Sequence, residues 1–402
     1  MIRIFVLLCL VAVQLTAQQE NAESKSKPAP STKNSRLVRF ATFNISFHRR
    51  RAGQLKAELA KKGATKPTQI AEIIQRVRPD VILLNEFDYD ESGLAVENFL
   101  KNYLEVSQGE QNPIVYPYRY LGPVNTGLAS EYDFDNDGKV SLPNDAVGFG
   151  WYEGQYGMVV LSRFEIDQSR IRTFQEFLWK DMPDNLMPFD PATKAPFYNQ
   201  VESEVFRLSS KSHWDVPINI SGQTVHFLAA HPTPPVFDGA EDRNGRRNHD
   251  EIRMFADYIT PGRADYLYDD GGTKGGLLGG EKFVVAGDMN ADPNDGDSTG
   301  RAGRMLTEHP LLNHKLTPSC EGGVYFSKSQ GQQNDQHSGN PAFDTGDFND
   351  ANVGNLRLDY CLPSINLDIV KSGIYWPKPG QPGSDLVFAS DHRLVWVDIE
   401  VR

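Results

Sequence analysis

The sequence predicts an α/β fold, and three observations carry that reading. Short apolar runs at residues 81–84, 157–162 and 283–286 have strand length and stop abruptly at polar residues. Between the first strands lies a helix-period stripe, Ile70, Ile73, Ile74 and Val77, at i, i+3, i+4 and i+7. A strand at 37–44, that helix and a strand at 81–84 form a crossover of helical length. Such a connection implies a parallel pair with both carboxyl ends at one edge, where α/β sheets keep their chemistry.

In chain order, Met1-Ile2-Arg3 is a short basic start, residues 4–13 are unbroken apolar, and Ala17 precedes Gln18. That is the pattern of a signal peptide at 1–17, too short to span a bilayer, so the expected location is secreted or periplasmic. No other stretch could cross a membrane. Residues 18–36 are polar and contain Pro and Ser, a disordered tether. A single domain is expected over 37–402, with insertions near 109–150, 260–281 and 313–350, acting as a monomer.

The stripe at 70–77 starts after Pro67 and ends at Arg78-Pro79. A second amphipathic helix is expected at 94–105. Inside the first insertion, Asp133-Phe-Asp135-Asn-Asp137-Gly138 has the acid spacing of a calcium loop, but Asn144 stands where a bidentate Glu belongs. Two readings follow, a structural calcium site or a solvated acidic turn. Residues 216–220 and 224–230, separated by Ser-Gly-Gln, read as a hairpin that ends at His231. Ile252, Phe255, Ala256 and Ile259 mark another helix, and strands are expected near 368–372 and 394–401.

Three cysteines are present, of which Cys320 and Cys361 lie outside the leader. In an exported chain they read either as a disulfide or as two unpaired thiols. The formal net charge is −12. That argues against charge-driven adhesion to nucleic acid, yet it suits divalent cations and a hydrolase that grips a few phosphates through a metal.

The chemistry lies in a recurrence. Short strands stop at Asn44, Glu86, His231, Asp288 with Asn290, Asp359, and Asp391 with His392. One polar residue at a strand end is a cap or turn, but six such ends of ligand and acid/base types read as one site. Asp288 and Asn290, two apart, point to the same side of an extended chain. Carboxylates and an amide suit Mg²⁺, with Mn²⁺ as a substitute, and neither a thiol pair nor His-x-x-x-His suggests zinc.

Seven segments carry a resemblance: ATFNI at 41–45, PDVILLNEF at 79–87, GMVVLSR at 157–163, AAHPTPP at 229–235, VVAGDMNADP at 284–293, LRLDYCLPS at 356–364 and SDHRLVWVDI at 390–399. Together, in this order, they resemble the endonuclease/exonuclease/phosphatase superfamily. The resemblance implies a four-layer sandwich of two mixed β-sheets packed face to face with helices outside. It implies Glu86 as principal metal ligand beside Asn44 and Asp391. Asp288 would orient or deprotonate the attacking water, and Asn290 would hold a nonbridging phosphate oxygen. His392, oriented by Asp359, would contact the scissile phosphate, and His231 would be the second imidazole. Deoxyribonucleases of this superfamily pair that histidine with a glutamate, for which Glu153 is the candidate here.

The expected function is thus a secreted Mg²⁺-dependent phosphodiesterase acting on nucleic acid, an extracellular nuclease. The alternatives are a sphingomyelinase-like phospholipase, a sugar or inositol phosphatase, and a noncatalytic calcium-stabilised binding module. Arg163, Arg243 and Arg247, with Arg246 and Arg49-Arg50-Arg51, are candidates to grip substrate, the bland reading being a solvated face. Trp151, Tyr152 and Tyr156 are stacking surfaces or core, and Trp179 and Trp214 are structural.

Overall fold

Alternation in the first strand sets the layering. In β1 (Arg36–Phe47), Val38 and Phe40 turn into one core, while Ala41, Phe43, Ile45 and Phe47 turn into another. Residues 36–402 are described in the computed structural model and form one compact unit. The leader expected at 1–17 and the tether up to residue 35 fall outside the described residues.

The chain leaves β1 through α1 (Gln54–Leu59) and α2 (Thr65–Val77) and returns as β2 (Val81–Phe87). The two strands pair in parallel with Asn44 opposite Asn85, and the four residues of the expected stripe are buried beneath α2. Next come α3 (Leu94–Phe99), which runs on into a π turn, β3 (Tyr118–Tyr120) and β4 (Met158–Ser162). β5 (Glu165–Ile166), β6 (Arg172–Thr173) and α4 (Gln200–Ser203) lead to a hairpin of β7 (His213–Ile220) and β8 (Gln223–Ala230). Its turn is at Ser221-Gly222, so β7 begins before the expected residue 216 and takes in Trp214.

Thereafter run α5 (Arg243–Tyr258), β9 (Phe283–Asp288), α6 (Arg304–Thr307) and α7 (Glu321–Gln330). The short pair β10 (Gly346–Asp347) and β11 (Asn355–Leu356) precedes β12 (Asp359–Pro363), β13 (Asp368–Ile374) and β14 (Val395–Val401).

Two six-stranded sheets result. The first has the order β13-β14-β1-β2-β4-β3; the second has β12-β9-β8-β7-β5, with β6 also on β7. Both are mixed, with β1/β2 and β8/β9 parallel and their outer neighbours antiparallel. Phe40, Leu83 and Val160 of one sheet meet Trp214, Phe227 and Val284 of the other in the central core. Helices α2 and α3 cover the outer face of the first sheet, and α5 covers that of the second through Ile252, Phe255 and Tyr258. The protein is a four-layer sandwich.

Two expectations need correction. Not every polar position ends a strand: β1 continues past Asn44 through a bulge, and Asp359 begins β12 rather than ending a strand. Asp391 and His392 likewise precede β14. Antiparallel pairing explains how they reach the same edge, since β12 starts where β9 stops, with Asp359 opposite Asp288. The disulfide reading is not realised: Cys320 and Cys361 are both free thiols, Cys361 buried between the sheets and Cys320 packed against the same core.

Candidate active site

The edge holding the carboxyl ends of β1, β2, β8 and β9 opens into a cleft of about 1030 Å³. Glu86, His231, Asp288, Asn290, Asp391 and His392 all line it. Local backbone geometry is unusual here. The bulge after Asn44 places Ser46 at φ 50°, while Glu86 and Asn290 sit at φ 61° and 52°, in the left-handed region. Strained conformers of this kind persist where surrounding contacts over-determine them, which is common at functional sites.

One atom is central: Asp288 Oδ2. It accepts from Asn44 Nδ2 at 3.0 Å and lies 3.5 Å from His231 Nε2 and 3.6 Å from His392 Nε2. Its other oxygen accepts the Asn290 N–H at 2.9 Å. Burial, with help from the Asp359 charge and against that of His392, raises this carboxyl to about 7. Asn44 also donates to Glu86 Oε1 at 3.1 Å, so one amide ties the two sheets together at the floor of the cleft.

The two imidazoles differ. His392 Nδ1 is 2.8 Å from Asp359 Oδ2. Although burial opposes the charge, Asp359 and Asp288 raise the His392 pKa well above the ordinary value. His231 has no such orienting acid. Its Nδ1 finds no partner among the described residues, and burial followed by the nearby charge of Lys211 drives its pKa well down. Glu153 is exposed on its loop and does not serve it.

Other expected positions sort clearly. Ser390 Oγ donates to the Asn44 carbonyl at 2.8 Å and receives the His392 N–H at 3.1 Å, which docks the Asp391-His392 turn on β1. Asn290 Nδ2 gives one hydrogen to the Pro232 carbonyl at 3.1 Å. Arg243 is paired with Glu241 at the cleft wall. Arg247 lines the cleft too, but its guanidinium is consumed by the carbonyls of Val147, Arg207, Leu208 and Ser209, so it is a structural tie. Arg163 is elsewhere: β4 runs antiparallel to β2, so the residue after Ser162 lies at the opposite edge, paired with Asp80 at 2.9 Å. Arg49 is bound to Glu58. Tyr156 lines the cleft, Tyr152 is hydrogen-bonded to Asp88, and Trp179 and Trp214 are buried.

Asp133, Asp135 and Asp137 bring carboxylate oxygens within 4.8 Å of one another. Asn144 donates to Asp135 at 2.7 Å, and Asp145 is taken by backbone N–H groups of Phe134 and Ser141. The loop matters to the cleft through Phe134, Asn144 and Ala146, which line it.

Two side chains of the site carried no signal in the sequence. Lys211 is only 6% exposed, and among the described residues its ammonium makes one hydrogen bond, a 3.4 Å contact to the Pro232 carbonyl. Among the described residues no carboxylate pairs with it, and burial lowers its pKa. His48 Nδ1 lies 2.7 Å from Glu86 Oε2. Against the desolvation that burial imposes, this bond is the main influence that holds Glu86 at about 2.

The donor set fits a hard cation. Glu86, Asp288, Asp359 and Asp391 crowd one edge, the Asp359 Oδ1 atom is buried without a partner, and the Asp391 carboxylate faces the cleft. Asp288, Asp359 and His392 also bring ligand atoms within 4.8 Å of one another, but the imidazole Nδ1 is already paired with Asp359. Asn44 presents its amide nitrogen to both acids, with Oδ1 accepting the Ser46 N–H at 3.1 Å.

The family model described as "Endonuclease/Exonuclease/phosphatase family" matches residues 41–392. No curated protein matches the chain. Among solved structures, it is similar to an endonuclease/exonuclease/phosphatase from Beutenbergia cavernae, at 18% identity and TM-score 0.49, covering 91% of this chain and 72% of that one. A family protein from Leptotrichia buccalis shares 15% identity at TM-score 0.46, covering 90% and 100%. Sphingomyelinase C from Streptomyces griseocarneus shares 14% at 0.43, covering 90% and 99%. With the family model spanning nearly all of the sandwich, the chain belongs to the endonuclease/exonuclease/phosphatase family, whose members are metal-dependent hydrolases of phosphoester bonds.

Proposed function

We propose that this protein is an exported phosphodiesterase that cleaves by in-line attack of water on phosphorus. The observation that carries the reading is the Asp288 carboxylate, held between two imidazoles and the Asn44 amide at the floor of the cleft. Glu86 and Asp391, with Asn44 beside them, would hold a divalent cation such as Mg²⁺, which would supply charge neutralisation at the phosphoryl group.

The residues of the chain do the rest. Asp288 takes a proton from the attacking water as the new oxygen–phosphorus bond forms. His392, kept cationic by Asp359, stabilises the charge that builds on the nonbridging oxygens. Asn290 and the Lys211 ammonium add hydrogen bonds to the same oxygens, and a buried ammonium in the field of Glu251, Glu86 and Asp288 but directly paired with no carboxylate among the described residues is suited to an anion supplied by substrate. The phosphorus–oxygen bond opposite the water breaks; His231, protonated from solvent as the bound phosphate's negative charge raises its pKa, gives that proton to the leaving oxygen, and the proton taken by Asp288 returns to solvent on product release.

For substrate, we favour nucleic acid in short or single-stranded form. Phe149 and Phe237, 53% and 88% exposed, stand on the cleft wall as surfaces on which bases can stack. Long duplex fits less well, because the cleft also carries Asp292, Asp295 and Asp297 and offers few free cations. The same apolar wall supports a second reading, a lipid phosphodiester. The test is a substrate panel of oligonucleotides, duplex DNA, RNA, bis-p-nitrophenyl phosphate, a phosphomonoester and sphingomyelin, with Mg²⁺, Mn²⁺, Ca²⁺ or EDTA. Cleavage of sphingomyelin alone overturns the nuclease reading, and activity indifferent to EDTA overturns the mechanism.

A further inference from the structure

The Glu86 carboxylate is gripped on both oxygens, and one of the two grips comes from outside every family segment. Asn44 Nδ2 donates to Oε1 at 3.1 Å, and His48 Nδ1 lies 2.7 Å from Oε2. Glu86 needs restraint, since its backbone sits at φ 61° and a side chain leaving such a position is aimed by its contacts rather than by the strand.

His48 is itself braced. Its ring lies 4.7 Å from that of Tyr156, tilted by 40°. A single carboxylate, Asp88, fixes the two segments that bear these rings. One oxygen accepts the Arg49 N–H at 2.8 Å and the Tyr152 hydroxyl at 2.6 Å, and the other accepts the Tyr156 N–H at 3.1 Å. Residues flanking His48 on the chain and Tyr156 in space are thereby tied to β2, one residue beyond Phe87. The His48 side chain is 38% exposed, so this scaffold rather than burial sets the pair apart from an ordinary surface ion pair.

We propose that His48 is a positioning residue: its Nδ1–H fixes the Glu86 carboxylate in the orientation in which it holds the divalent cation. The inference rests on the reading of Glu86 as metal ligand. Its physical content is preorganisation. A carboxylate with one oxygen hydrogen-bonded presents its remaining lone pairs in a fixed direction, so less freedom is lost when the ion arrives. Outer partners of this type are generally worth about 10–100-fold in metal affinity.

The test is Mn²⁺ binding to the full chain by titration calorimetry without substrate, for variants that separate the ring from the donor. His48→Phe keeps a ring against Tyr156 and removes the donor; His48→Asn keeps a nitrogen near the Nδ1 position and removes the ring. Expected is about tenfold or greater weakening of Mn²⁺ binding in His48→Phe, with His48→Asn within about threefold of wild type. Wild-type affinity in His48→Phe overturns the proposal. Equal loss in both variants also overturns it, because the ring would then ligate the ion itself. Glu86→Gln separates the two levels: undiminished Mn²⁺ binding there removes the ligand reading and this inference with it. Loss in Glu86→Gln beside an unaffected His48→Phe removes only the role of His48.

Discussion

His392 and His231 are buried imidazoles beside the same carboxylate oxygen, yet their surroundings push their pKa values in opposite directions. His392 has Asp359 behind it and is held as a cation; His231 has an unpartnered nitrogen and Lys211 nearby, and is neutral. His392→Ala is therefore expected to lower turnover about 10²-fold or more with folding intact, and near wild-type turnover would sink the assignment. Lys211→Met, which preserves bulk, should lower kcat/KM by about 10–100-fold, the range for hydrogen bonds to charged groups. A loss below about twofold would return Lys211 to a packing role. Asp344 gives a stability prediction. Burial and the charges of Asp292 and Asp295 raise its carboxyl to about 8, against roughly 3.9 unfolded. Between those values the folded state retains a proton that the unfolded chain releases, so stability falls as pH rises. Asp344→Asn should thus be more stable than wild type at pH 9 by at least about 1 kcal/mol in denaturant titration, and the difference should vanish only below about pH 4, the unfolded carboxyl's range. The acids and imidazoles of the site were legible because they interrupt apolar runs. Lys211 among serines and His48 before three arginines look like solvated surface, and only the burial of Lys211 and the bond from His48 to Glu86 show otherwise.

At the level of strands, the site depends on which directions neighbours run. The parallel pair β1/β2 was legible from its helical crossover, and Asn44 does meet Glu86. The directions of β12 and β14 were not, because an isolated apolar run carries no mark of its partner. Gly287 shows how tightly β9 is fitted. Its φ is 148°, and a Cβ there would lie 2.0 Å from the Ala230 carbonyl oxygen on β8. Gly287→Ala should destabilise by about 1–3 kcal/mol in denaturant titration and reduce activity, since Asp288 and His231 are the next residues on the two strands. Unchanged stability would show that the strands can part without cost. Asn85 ties the sheets at the same depth, buried, donating to the Ala230 carbonyl at 3.2 Å and accepting from Thr42 at 3.2 Å.

Across the molecule, two sheets brought face to face gather side chains from positions 44 to 392 at one edge. Segment order and apolar runs made the layers legible; the irregular stretches that wall the cleft, including the loop carrying Phe134 and Asn144, were not, because their shape is set by contacts rather than by period. Gathering acids at one edge makes the folded state a better ligand for cations than the unfolded chain. Mn²⁺ at a hundredfold excess over its dissociation constant should stabilise the protein by about 2.7 kcal/mol, and Glu86→Gln should abolish the shift in melting midpoint. The opposite edge has its own consequence. There Arg36 pairs with Val401, so the first described residue and the last strand lie side by side, far from Asn44. A protein immobilised through the chain preceding Arg36 would present its cleft outward. A short linker from Arg402 to Arg36, with new ends opened between Ser221 and Gly222, would give a circular permutant whose catalytic edge is never cut.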